Sequence, residues 1–322
     1  MTTTRRAFLT TLSGAAAAAA GTALLPSAAL AAPRPRRAAA AVLDVVSDVQ
    51  GDLADLRRSL ETLHGLGTAD ALVVNGDLVS NGYVSQYEDY RAALDSRPHP
   101  EVVLSTFGNH EQYNNDPFDT QVDRFAAYTG MPGVFSEHLV GGVPVLRIGT
   151  VAPSVGGTGG PFVTLGGEQL SWLDSRLSEH AGGPVLVLSH HVLPDSVSGT
   201  TGEDSARFYD RDFVEERELL EVLGGHPGAV FFSGHTHWSL ERGDWAVRKV
   251  VSGGHPDGFT VVNTGFVQTM YGPDGKGGER ALDAAAAQGL RVEVADDGTV
   301  TVRSLHLKTG EAIRTLEIAA RR

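Results

Sequence analysis

The chain of 322 residues contains no cysteine. Disulfides, thiol nucleophiles and cysteine-held metals are therefore excluded, as is lipid anchoring through an N-terminal cysteine. Any metal falls to His, Asp, Glu, Asn, Gln or the backbone. Basic residues are also scarce: 26 Lys and Arg stand against 39 Asp and Glu, for a net charge of -13. Such a chain does not attract a nucleic-acid backbone or an anionic membrane at long range. An anionic substrate would need a local source of positive charge, which a pair of metal ions supplies. Two glycine-rich stretches, Gly156–Gly160 and Gly272–Gly278, lack the Gly-Lys-Ser/Thr ending of a phosphate cradle and read as flexible surface loops. No internal repeat is present, and the sequence is silent on oligomeric state.

A strongly apolar run is missing too. Ala7 to Leu25 is long enough to span a bilayer but too poor in Leu, Ile and Val for a stable anchor. It follows Thr4-Arg5-Arg6-Ala7-Phe8-Leu9, which resembles the twin-arginine export consensus, and precedes the small-x-small site Ala29-Leu30-Ala31. Residues 1–31 thus read as a twin-arginine-type signal peptide and residues 32–40 as a Pro/Arg/Ala linker. Residues 41–320 read as one domain, secreted or held in the periplasm or cell envelope.

Within that domain one pattern recurs five times. Val42–Val46, Ala71–Val74, Val102–Phe107, Pro184–Leu188 and Ala229–Phe232 are near-continuous apolar runs, as in strands covered on both faces. Each runs into polar residues: Asp48 and Gln50, Asp77, Asn109-His110-Glu111, His190-His191, and His235-Thr236-His237. Groups at the carboxyl ends of such strands share one edge of a sheet, where α/β proteins place their sites. Helical stripes lie between: Leu53/Leu56/Leu60/Leu63 stopped by Gly65, a capping box at Ser85–Glu88, Phe118/Val122/Phe125 closed by Gly130, Leu170/Leu173/Leu177, and Val214–Leu223. Extended segments follow at Val143–Ile148, Trp245–Val251 and Phe259–Val262. A hairpin turns at Asp296-Asp297-Gly298, and Ala312–Ile318 reads as an edge strand.

Together, Asp48, Asp77, Asn109, His190, His235 and His237 offer two carboxylates, an amide oxygen and three imidazoles. That mixed N/O set suits two divalent cations of intermediate hardness, and a carboxylate between them is a natural bridge. Asp48-x-Gln50, Gly76-Asp77, Gly108-Asn109-His110-Glu111, His190-His191 and Gly234-His235-Thr236-His237 resemble the ordered motifs of the calcineurin-like metallophosphoesterase superfamily over residues 41 to 265.

The resemblance implies an α/β fold, a four-layer α/β/β/α sandwich of two mixed sheets flanked by helices. It also implies a phosphoester hydrolase, mono- or diesterase, using metal-activated hydroxide. Asp77 would bridge two ions, Mn favoured over Fe or Zn. Asp48, Gln50 and His237 would complete the first site; Asn109, His190 and His235 the second. His110 would stabilise the phosphate and protonate the leaving group, with Glu111 orienting it. The superfamily has His where this chain has Gln50, leaving three readings open: ligation through the amide oxygen, a water held in its place, or a weak first site. Alternation turns His190 and His191 to opposite sides, favouring His190 as the ligand. His255, Asn81 and Tyr83 are candidates to line the cleft, and Asp195–Asp212 reads as a lid or a plain surface loop. A metal-dependent acyl hydrolase and a non-catalytic, metal-stabilised binding module are the alternatives. The second would show no cleft beside His110.

Overall fold

The computed structural model describes residues 39–155, 160–201 and 207–320. The expected signal peptide, most of the linker and the 156–159 glycine run lie outside them. In chain order the elements begin β1 (Ala39–Val46), α1 (Leu53–Gly65), β2 (Ala71–Val74), α2 (Val84–Asp95), β3 (Val102–Ser105), α3 (Phe118–Thr129), β4 (Ser136–Val140) and β5 (Val143–Arg147). They continue α4 (Gly166–Glu179), β6 (Val185–Leu188), α5 (Glu216–Gly224), β7 (Ala229–Ser233), β8 (Ala246–Lys249) and β9 (Phe259–Asn263). The chain closes on β10 (Met270–Pro273), β11 (Glu279–Asp283), β12 (Gln288–Ala295), β13 (Val300–His306) and β14 (Ala312–Ile318).

Two six-stranded sheets result. The first has the order β14-β13-β12-β1-β2-β3, with β1, β2 and β3 parallel and β12 to β14 antiparallel. The second has the order β4-β5-β6-β7-β9-β8, parallel at its centre with antiparallel edges. Period-two burial shows how they stack. Leu186 and Leu188 of β6, Val230 and Phe232 of β7 and Val262 of β9 join one core with the first sheet and the stripe of α1. Their neighbours Val185, Val187, Ala229, Phe231 and Val261 face the other way, into a second core with Leu173 and Leu177 of α4 and Leu219 and Leu223 of α5. The layering is helices, sheet, sheet, helices. No helix among the described residues is long and apolar enough to cross a membrane.

The helix ends follow local chemistry. Asp52 caps α1 by accepting the Asp55 N–H at 3.1 Å. Gly130, at φ 73°, closes α3 in the left-handed conformation. The cap of α2 lies earlier than the expected Ser85–Glu88 box: Gln86 Oε1 accepts from Tyr83 N and Asn81 N, so the helix starts at Val84. Strand β4 and the β10–β11 hairpin have no counterpart in the sequence reading.

Candidate metal centre

All five ligand-bearing strand ends come to one edge. Asp48, Asp77 and Asn109 follow β1, β2 and β3 of the first sheet; His190 follows β6, and His235 and His237 follow β7 of the second. Backbone bonds hold the loops in register: Asp48 N to Gly76 O at 3.2 Å, Gln50 N to Asp77 O at 2.9 Å, and Gly234 N to His190 O at 2.9 Å. Asn75 ties the sheets together. Its Nδ2 donates to Ser189 O at 2.8 Å, and its own carbonyl holds His190 Nδ1 at 2.8 Å.

The loops are strained in the same place. Seven non-glycine residues among those described have positive φ, and five of them are Asp48, Gln50, Asp77, His235 and His237. Each such residue costs about 1–2 kcal/mol, which persists only where the surroundings over-determine it. Two glycines admit the carboxylates. A Cβ on Gly108 would meet Asp77 Oδ1 at 2.1 Å, and one on Gly234 would meet Ser47 Oγ at 2.1 Å and Asp48 Oδ2 at 2.7 Å.

The side chains converge. His190 Nε2 lies 3.1 Å from Asp77 Oδ2 and 3.8 Å from Asp48 Oδ1, and His237 Nε2 lies 3.0 Å from Asp48 Oδ1. His237 Nδ1 is held by the Gln268 and Thr269 carbonyls, fixing the ring so that Nε2 faces inward. Asp48 Oδ1, Asn109 Oδ1, His190 Nε2 and His235 Nε2 are buried and make no well-aligned hydrogen bond; Asp48 Oδ1 and His190 Nε2 have only the charge contacts just given. Buried polar atoms without a well-formed hydrogen bond are rare in folded proteins. Four of them, nitrogen and oxygen mixed, fit divalent cations. The charge agrees, since the carboxylates of Asp48, Asp77, Glu111 and Asp212 are each 0–1% exposed around the site.

Without a cation, protons take up part of that charge. Burial opposes it, but the Asp77 and Asp48 carboxylates push His190 up to about 10. Burial and the His190 charge instead hold His235 down to about 3. Burial, reinforced by Asp77, lifts Glu111 to about 8.

Gln50 reaches the centre. Its Nε2 lies 3.0 Å from Asp77 Oδ2 and 3.1 Å from His237 Nε2, so a half-turn of the amide would aim Oε1 at the same place. Glu111 has a different role from the one expected. Its carboxylate accepts Gly108 N, Leu78 N and Asp77 N at 2.7, 2.8 and 3.1 Å, stapling the Asp77 and Asn109 loops. His110 is oriented by Ser80 O, at 2.8 Å from Nδ1, and its Nε2 lies 3.8 Å from Asp77 Oδ2 at the open side.

A cleft of about 240 Å³ lies over these groups, bordered by Tyr113, Phe162, Tyr209, Tyr271 and Glu279. Glu279, on β11, accepts from Trp238 Nε1 at 3.0 Å and Tyr209 OH at 2.9 Å. Gly272–Gly278 is therefore the end of a hairpin that walls the cleft, not merely a surface loop. His255 is exposed, and its N–H donates to Gly224 O at the end of α5. Asn81 bonds Gln86 and Asn114, and Tyr83 is 50% exposed; neither borders the cleft. Residues 196 to 200 are buried, so that stretch is no plain surface loop, and the same segment carries Tyr209 and Asp212 to the site. His191 also faces inward, with a ring nitrogen within 4.8 Å of His190 and His235. Strand alternation stops governing side-chain direction once β6 ends at Leu188.

Two packed mixed sheets, with oxygen and nitrogen donors gathered at their carboxyl edges, define a protein of the metallophosphoesterase class. The profile of the calcineurin-like phosphoesterase family matches residues 42–239, and the chain belongs to that family. A domain of unknown function (DUF4073) matches residues 240–322, which hold β8 to β14. A probable cyclic nucleotide phosphodiesterase of Synechococcus sp. is 29% identical over 176 residues, 54% of this chain and 60% of the relative. Another from Rhodococcus erythropolis is 25% identical over 225 residues, 64% of this chain and 66% of the relative. The chain thus spans less than two thirds of each relative's length. The fold resembles that of purple acid phosphatase PPD1 from yellow lupin, with TM-score 0.59 and 13% identity over 88% of this chain and 54% of that one. It also resembles PhoD, with TM-score 0.52 and 12% identity over 87% and 69%.

Proposed function

We propose that the protein is an exported, metal-dependent phosphodiester hydrolase acting on diesters with an uncharged alcohol, cyclic nucleotides among them. The observation that carries this reading is the set of unpartnered buried donors opening onto a cleft beside His110. Asp48, Gln50, Asp77 and His237 would hold one divalent cation, and Asp77, Asn109, His190 and His235 a second. Bound there, the pair would acidify a water and offset charge on the phosphoryl oxygens.

The chain's own groups do the rest. Ser80 O fixes His110 so that Nε2 points to the cleft, placed to protonate the departing alkoxide. Glu111 holds the two loops that carry Asp77 and Asn109. The cleft continues into a cavity of about 520 Å³ that shares Asn109, Tyr113 and Phe162 with it and runs along Gln112, Asn114 and Gln121. Among the described residues its lining contains no Lys or Arg and one carboxylate, Asp116, so it suits an uncharged alcohol rather than a second phosphate. Glu279 at the cleft opposes a dianionic monoester more than a monoanionic diester. The names of the two curated relatives support the same substrate class. The cleft beside His110 speaks against a non-catalytic binding module.

The test is purified chain with Mn²⁺ or Zn²⁺ on bis-p-nitrophenyl phosphate, p-nitrophenyl phosphate and p-nitrophenyl acetate. Turnover is expected to be highest on the diester. Activity on the acetate alone would overturn the reading. Export through residues 1–31 is tested by replacing Arg5 and Arg6 with Lys, which should retain the protein inside the cell.

A further inference from the structure

His191 and Asp212 lie beside the second cation position, outside the strand-end ligand set. The His191 ring packs at 5.0 Å from His190 and 5.1 Å from His235. One ring nitrogen of each of the three lies within 4.8 Å of the others. Nε2 of each is buried without a hydrogen-bond partner. Asp212 is 1% exposed; Oδ2 accepts Val192 N at 3.0 Å, but Oδ1 has no partner and lies 3.8 Å from His235 Nε2.

Apolar rings close the pocket. Phe162 stacks on His191 at 5.4 Å and meets His235 edge-on at 5.2 Å, while Phe213 lies 6.4 Å from His191. A histidine buried only for packing normally satisfies its ring nitrogens, as a buried carboxylate does its oxygens, because an unmade bond in a dry site costs about 1–3 kcal/mol. His191 Nε2 and Asp212 Oδ1 both break that rule, and each lies beside His235: a His191 ring nitrogen within 4.8 Å of it and Asp212 Oδ1 at 3.8 Å.

Resting on the cation-site reading above, we propose that His191 and Asp212 are donors to the second cation. His190, His191 and His235 then supply three imidazoles, joined by the oxygens of Asp77, Asn109 and Asp212. The first position keeps a single imidazole, His237, beside Asp48, Gln50 and Asp77. Softer, imidazole-rich coordination selects Zn²⁺, Co²⁺ or Fe²⁺, whereas the oxygen-rich first position accepts a harder ion such as Mn²⁺. The two positions therefore take unlike cations.

The experiment strips the full chain of metal and titrates it with Zn²⁺ against a chromogenic chelator, then with Co²⁺ followed by visible absorption. Native chain is compared with His191→Gln and the isosteric Asp212→Asn. The tighter Zn²⁺ site should weaken by about 10–100-fold in each variant, the scale of losing a supporting group at a metal site. The Co²⁺ bands should shift in both, which a packing role would not cause. Thermal melting of the metal-free proteins checks folding; if His191→Gln fails to fold, Asp212→Asn decides alone. Unchanged Zn²⁺ affinity and an unchanged Co²⁺ spectrum in folded variants overturn the assignment. A native chain that takes up neither ion overturns the cation-site reading itself, and this assignment with it.

Discussion

The two sheets bring different chemistry to their shared edge. The loops after β1, β2 and β3 bring the oxygens of Asp48, Asp77 and Asn109, with the Gln50 amide beside them. The loops after β6 and β7 supply imidazoles from His190, His191, His235 and His237. Neither edge is a site alone: one is a cluster of carboxylates that burial would force to take protons, the other a cluster of rings that burial strips of charge. Packing the sheets puts the two sets within reach of one another, and Asn75 fastens them. The centre is thus a product of sheet-on-sheet packing, and damage to either side should show in both metal binding and folding.

The largest break is on the oxygen side. Asp77→Asn removes the carboxylate that both proposed positions would share and should lower kcat/KM on bis-p-nitrophenyl phosphate by about 10⁴-fold, several kcal/mol of charge stabilisation. His110→Asn leaves the donors intact and should cost about 10²-fold or more on a diester with a poor alkoxide leaving group. Its effect should shrink with p-nitrophenolate, which departs without a proton.

On the imidazole side, the comparison is between the two histidines of Gly234-His235-Thr236-His237. On the proposed division His237 would be the single imidazole at the first position, whereas His235 has His190 and His191 beside it. Elemental analysis should show His237→Ala emptied of one ion more completely than His235→Ala; equal loss would contradict the division. Asn75→Ala should weaken the join between the sheets. It leaves Ser189 O and Thr106 Oγ1 without their partner, a loss of about 1–3 kcal/mol read as a lower urea midpoint.

A further effect, on stability alone, lies away from the centre. Burial, opposed by the Arg291 guanidinium 3.2 Å away, raises Asp44 from 3.8 to about 7. The folded chain then keeps a proton that the unfolded chain has lost across that window, so this stability is present at the acid end and fades as pH rises to 7. In metal-free protein, Asp44→Asn should flatten the melting temperature over that range.

The strand ends were legible because an unbroken apolar run followed by Asp, Asn or His has few structural uses. What escaped had no such signal. Asp212 sits 22 residues after His190 in an irregular stretch with no period. Tyr271 and Glu279 flank a Gly-Pro-Asp-Gly-Lys-Gly-Gly run whose composition is that of any loop, although it turns a hairpin over the cleft. His191 was assigned outward by an alternation that holds only inside a strand. Glu111 looked catalytic beside His110, but its oxygens are taken up by backbone amides, and only the fold shows which amides are near.

On the proposed mechanism, cations held between an oxygen edge and an imidazole edge carry the hydrolysis. The most direct measurement follows bis-p-nitrophenyl phosphate turnover while metal is returned to the stripped full chain, with bound metal determined in parallel. Turnover should be absent without metal and should rise to its limit as the second ion per chain binds. Full activity in the stripped chain, or saturation with one ion bound, would rule out a two-cation mechanism.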